Sequence, residues 1–174
     1  EVLRFSASLD QGSEHPLAEA ILAEARKRGL RLEPAAEFES STGIGVRGRV
    51  GGGAVALGNT ALMQEVEVDV ENLRADAERL RRDGASVMFL AIDGRAAGLI
   101  AVADPIKETT PEAVQALRAA DLRIVMASGD GRTTAEAVAR RLGIDEVYGE
   151  VRPRDKVDLV TRLREGGRKV AMAG

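Results

Sequence analysis

Near residue 104 the chain changes its pattern, and that change limits what it can fold into more than any other feature. Before it, short apolar runs alternate with glycine clusters over residues 37–59 and 86–102. Such runs predict antiparallel hairpins that turn at Gly51-Gly52-Gly53 and at Asp93-Gly94. Two amphipathic helices accompany them. Residues 16–28 put Leu17, Ile21, Leu22 and Ala25 on one face, with Ser13 as N-cap, Pro16 in the first turn and Gly29 as the stop. Residues 70–82 turn Leu73, Ala77 and Leu80 inward and end at Gly84. After Asp104-Pro105, helix and strand patterns alternate: helix 111–120, strand 122–127, helix 133–142, strand 146–149, helix 154–164, strand 169–173. Short connections between such elements imply a parallel sheet covered by helices. The expected fold class is therefore α+β followed by α/β: an antiparallel-sheet lobe over residues 1–101, then a Rossmann-like parallel-sheet lobe over 102–174.

Composition removes several classes of function. At 174 residues with 44% hydrophobic content, the chain is long enough for one or two real cores. Its net charge is −3 with both signs interspersed, so there is no electrostatic footprint for nucleic acid, and none is expected as a partner. Cysteine is absent, which excludes disulfides and thiolate metal sites, and no metal ligands are assigned. The longest apolar run, Leu99 to Ala103, is far short of the roughly 20 residues a spanning helix needs, so the chain itself is expected to be soluble. It opens on Glu1 and stops at Gly174 just after an apolar run, and both ends read as cut from something longer.

Two short segments carry chemistry. The expected strand Leu122–Ala127 runs into Ser128-Gly129-Asp130 and then a helix. Ligands of an open parallel sheet sit beyond the carboxyl ends of its strands, where a hydroxyl and free backbone N–H groups form an anion cradle. The competing reading is that Ser128 turns the chain and Asp130 caps the helix. Lys156 lies in the first turn of the next helix, the macrodipole's unfavourable end for a cation unless an anion meets it there. Its competing reading is a solvated lysine.

Ser128-Gly129-Asp130 followed by Pro153-Arg154-Asp155-Lys156 resembles two motifs of the haloacid-dehalogenase-like phosphotransferases. Asp104-Pro105-Ile106-Lys107-Glu108-Thr109 and Gly129 to Ala135 look like the phosphorylation domain of their P-type ATPase branch. Ser13-Glu14-His15-Pro16-Leu17 matches the Ser-Glu-His-Pro-Leu motif of heavy-metal P-type ATPases, whose histidine positions the adenine of ATP. Thr42-Gly43-Ile44-Gly45-Val46 and Gly58-Asn59 resemble the same family's Gly-x-Gly loop and Gly-Asn pair on the nucleotide cleft. Asp10 stands where the family commonly has glutamate, and Gly131 where it has asparagine. With only Phe5, Phe38, Phe89 and Tyr148 as aromatics, no aromatic box for adenine is evident.

The resemblance implies a nucleotide-binding lobe holding ATP through Asp10, Glu14, His15, Gly43, Gly45, Gly58 and Asn59. It implies a second lobe in which Ser128 and Lys156 face the transferred phosphate, Asp130 orients that lysine or the nucleotide, and Asp104 supports the phosphorylation site. The parent protein would be a heavy-metal pump, with copper favoured, that uses ATP and Mg2+ and forms an aspartyl phosphate. Its partners would be the transmembrane and actuator domains of the same chain, making this a cytoplasmic part of an integral membrane protein. The family's Asp-Lys-Thr-Gly-Thr segment does not occur in the sequence, and Val170 to Gly174 looks like the start of its Gly-Asp-Gly-x-Asn-Asp segment. The chain alone is therefore expected to be inactive. A stand-alone phosphatase with a cap domain and a non-catalytic nucleotide sensor stay open as alternatives.

Overall fold

The computed structural model describes residues 1–103, 106–165 and 167–173. The chain divides into two compact units, one of residues 1–81 with 85–104 and one of residues 82–84 with 105–174.

In the first unit the elements run α1 (Val2–Asp10), α2 (Pro16–Lys27), β1 (Ala35–Ser41), β2 (Gly45–Val50), β3 (Gly53–Gly58), α3 (Thr60–Glu65), α4 (Glu71–Arg82), β4 (Ser86–Ile92) and β5 (Arg95–Val102). The five strands pair antiparallel in chain order. Two residues at positive φ, Gly51 and Gly52, turn β2 into β3, and Asp93 with Gly94 does the same between β4 and β5. This is the backbone that matches the right-handed twist of a tight hairpin. Strand alternation then divides the apolar residues between two cores. Val46, Val50, Val55, Leu57, Leu90 and Ile100 face α1 and α2, packing on Ala7, Leu9, Ile21 and Ala25. On the other face Ala56, Val87, Phe89 and Ala91 pack on Leu62, Met63, Val68 and Ala77 from the α3–α4 side.

Two elements here have no counterpart in the sequence patterns. In α1, Phe5, Ala7 and Leu9 alternate with Ser6 and Ser8 as a strand would, yet the helix is buried all round from Ser6 to Asp10. Ser8 Oγ accepts the Glu33 backbone N–H at 3.1 Å, whereas the buried Ser6 Oγ has no partner. The other unforeseen element is α3, six residues long and capped by Asn59. The N-cap of α2 also differs from expectation: it is His15, not Ser13. Pro16 is the cause, because a residue before proline is driven into extended backbone, here ψ 138°, so helical geometry cannot begin earlier.

The second unit contains α5 (Thr110–Ala119), β6 (Val125–Ala127), α6 (Arg132–Leu142), β7 (Glu146–Tyr148) and α7 (Pro153–Arg164). β6 and β7 pair in parallel, Val125 with Glu146 through Ala127 with Tyr148. β6 is shorter than the expected 122–127. Asp121 at φ 59° and the Leu122 N–H to Leu117 carbonyl bond spend those residues on closing α5. The expected strand 169–173 is not formed. An apolar run becomes a strand only by pairing, and this one finds no ladder among the described residues, leaving Met172 71% exposed.

Candidate functional site

In the first unit the chosen residues fall on two segments, the turn between α1 and α2 and the knot between β1, β3 and α3. Glu14 and His15 are exposed on the turn. His15 Nδ1 accepts the Leu17 backbone N–H at 3.2 Å, and the His15 N–H points to Ser13 Oγ at 3.3 Å. With Nδ1 accepting, the neutral ring carries its proton on Nε2, which is left for a ligand. Asp10, the last residue of α1, is only 4% exposed, and burial pushes its carboxyl up to about 6.

In the knot, Asn59 binds on three sides. Its Oδ1 accepts from Ala61 N at 2.9 Å and from Leu62 N at 3.2 Å, while Nδ2 donates to the Gly43 carbonyl at 3.0 Å. The glycines around it differ in what they tolerate. Gly45 and Gly58 pair across β2 and β3. A Cβ on Gly45 would come within 2.4 Å of the Leu57 carbonyl, and one on Gly58 within 2.2 Å of the Ile44 carbonyl. Gly43, at φ 80°, has open space around it. Two glycines are thus demanded by the protein's own backbone, and only Gly43 borders space that a ligand could enter.

In the second unit Ser128 follows β6 directly. Its hydroxyl donates to Asp130 Oδ2 at 2.7 Å and accepts the Asp130 N–H at 3.2 Å, a local turn that fixes both side chains. The Ser128 N–H donates to the Tyr148 carbonyl, and the Val151 N–H donates back to the Ser128 carbonyl, both at 2.9 Å. These bonds tie the Ser128 turn to the start of α7, where Lys156 lies half-buried in the first turn. The competing reading, in which Asp130 caps the helix, is not met: Gly131 holds the N-cap position of α6. Asp104 and Gly174 lie outside the described residues.

A haloacid dehalogenase-like hydrolase family model matches residues 1–174. The chain belongs to that family. Within it, the chain is homologous to the heavy-metal-transporting P-type ATPases. It is 54% identical over 174 residues to a copper-transporting ATPase of Rhizobium meliloti, covering 100% of this chain and 21% of that protein. It is 47% identical over 173 residues to a silver-exporting P-type ATPase of Salmonella typhimurium, again spanning 21% of the relative. A solved zinc-transporting PIB-type ATPase in its E2.Pi state superposes with a TM-score of 0.66 at 28% identity, over 95% of this chain and 26% of that one. The chain therefore spans about a fifth of the length of these curated relatives.

For a haloacid dehalogenase-like chain, Gly149 is the residue that sequence reasoning passed over. A Cβ there would lie 2.7 Å from the Arg132 Cα, so its absence lets the end of β7 press against the start of α6 beside Ser128. Its only sequence signal was a glycine closing the expected strand 146–149. A shallow depression of about 340 Å³ on the α3 side of the first sheet holds none of the chosen residues. Arg47 beside it is already paired with Glu39 and lies 3.8 Å from Glu65. Among the described residues no group of three or more acidic or histidine side chains could hold a metal, and no helix is long and apolar enough to cross a membrane.

Proposed function

We propose that this chain is the ATP-binding part of a heavy-metal cation pump, with copper the favoured cargo, that works through an aspartyl-phosphate intermediate. In the parent protein it would belong to the cytoplasmic side and act with transmembrane and actuator domains of the same chain. The observation that carries the reading is Ser13 to Leu17 held at the start of α2, with an exposed His15 whose Nε2 is unspent, in a chain that aligns from end to end with copper- and silver-transporting ATPases.

His15 donates from Nε2 to the base, and the loop at Gly43 lets the nucleotide approach backbone. Asp10, Glu14, Gly45, Gly58 and Asn59 complete that wall, the two inner glycines by keeping it thin. Lys156 offers a positive charge to the phosphate being transferred and Ser128 a hydroxyl, which donates to Asp130 Oδ2 in the free chain and turns from it to donate to the phosphate. Asp104 is assigned to the phosphorylation site by resemblance alone. Phosphoryl transfer also needs an in-line nucleophile and charge neutralisation by a metal. The described residues offer no cluster of three or more metal-ligating side chains, and no Mg2+ ligand is assigned among them.

The chain alone should bind ATP and not turn it over. Calorimetry with ATP and incubation with γ-labelled ATP and Mg2+ test both halves. No measurable heat of binding would refute the nucleotide reading. A hydroxylamine-sensitive phosphoprotein abolished by Lys156→Ala would show that a carboxylate within this chain is the nucleophile.

A further inference from the structure

Asn59 stands in the family motif as a cleft residue, but its bonding describes a different task. An asparagine side chain has two acceptor lone pairs and two N–H donors. Both Oδ1 lone pairs are taken by the first N–H groups of α3, at Ala61 and Leu62. One Nδ2 hydrogen goes to the Gly43 carbonyl. The Asn59 backbone N–H donates to the Ile44 carbonyl at 2.9 Å, so main chain and side chain grip two consecutive residues of the same loop. The loop is otherwise held by the Ile44 N–H to Ser41 carbonyl bond, by the Ser41–Gly45 pairing and by the Ile44 side chain against the second core, while Gly43 itself has no heavy atom within 4 Å of where a side chain would begin. Reversing the amide would set a carbonyl oxygen against the Gly43 oxygen and NH2 against two N–H donors, so the network allows only this orientation.

We propose that Asn59 is a positioning residue, a strut that fixes the 42–44 loop to the start of α3, and that it does not itself bind ligand. The role deepens the nucleotide reading for this site but exists without nucleotide.

Asn59→Ser keeps a short oxygen able to cap α3 and cannot reach the Gly43 carbonyl, while Asn59→Ala loses both bonds. Hydrogen exchange followed by NMR without ligand should show the Ile44 amide opening about tenfold faster in Asn59→Ser, the scale of one lost hydrogen bond, with α3 still protected. Affinities for ATP, ADP and AMP should fall by one common factor, because a misplaced loop affects every ligand that lies on it. In the unmodified protein the side-chain amide signals of Asn59, one of two asparagines, should persist unshifted through an ATP titration. An unchanged Ile44 exchange rate, a loss confined to one nucleotide, or a large ATP-induced shift of the Asn59 side-chain amide overturns the strut. If the unmodified chain binds none of the three nucleotides, the functional reading fails while the exchange measurement still decides the strut.

Discussion

At His15 the two ring nitrogens have different duties, and substitution can separate them. Asparagine at this position keeps an N-cap acceptor but removes Nε2, so His15→Asn should leave the melting temperature nearly unchanged while ATP affinity drops. His15→Ala should lose the affinity and also about 1 kcal/mol of stability, the usual worth of an N-cap. Paired calorimetry and thermal melts check this; equal ATP affinity in protein and both variants would remove His15 from the site. Asp10 gives a pH signature instead. Its folded carboxyl holds its proton up to about pH 6 against an ordinary value of 3.8. The folded state thus binds the proton more tightly than the unfolded one. Its contribution is complete below about pH 4 and is lost as pH rises through about 6, by at most about 3 kcal/mol. Urea midpoints for the unmodified chain should fall across that window, and Asp10→Asn should flatten the fall. At this scale the sequence was legible only in part. Ser13 to Leu17 was found because five consecutive residues rarely coincide by chance. Reading Asn59 as a ligand concealed that an Asn before Thr60 also has the chemistry of a helix start.

Among the elements, local signals were mostly read correctly, the N-caps of α2 and α3 excepted, and non-local ones were not. Gly29, Gly84 and the two glycine turns each decide the backbone where they stand, so α2, α4 and the hairpins came out with boundaries close to those observed. Residues 169–173 have strand composition, but whether they pair is decided by chain far away in sequence. The serines of α1 point to the same limit: Ser6 and Ser8 are buried because α1 is covered all round, which no period in ten residues reveals. The β2–β3 pair supports a sharper test. Gly43→Ala faces only the cost of positive φ, about 1 kcal/mol. Gly45→Ala forces two backbones apart and should destabilise the first unit by about 2–4 kcal/mol. Denaturation curves of the two variants should differ accordingly; equal midpoints would mean that β2 shifts freely and that the close pairing is not required.

Across the whole molecule, each unit has its own sheet, one of five antiparallel strands and one of two parallel strands. The change of pattern near residue 104 announced both architectures, since hairpin turns and helix–strand alternation are short-range features. Separate compact units, each with its own sheet, permit separate unfolding, so a single midpoint need not describe the chain. Tyr148, at the end of β7, offers a way to watch this. There is no tryptophan and no other tyrosine in the sequence, and the Tyr148 carbonyl receives the Ser128 N–H. The tyrosine emission of the chain therefore originates a single hydrogen bond from the Ser128 turn, and the first unit contributes none of it. A melt followed by tyrosine emission should report the second unit alone, while far-ultraviolet circular dichroism averages over both. Divergence of the two curves would give each unit its own stability without a dye, a tag or a cut in the chain.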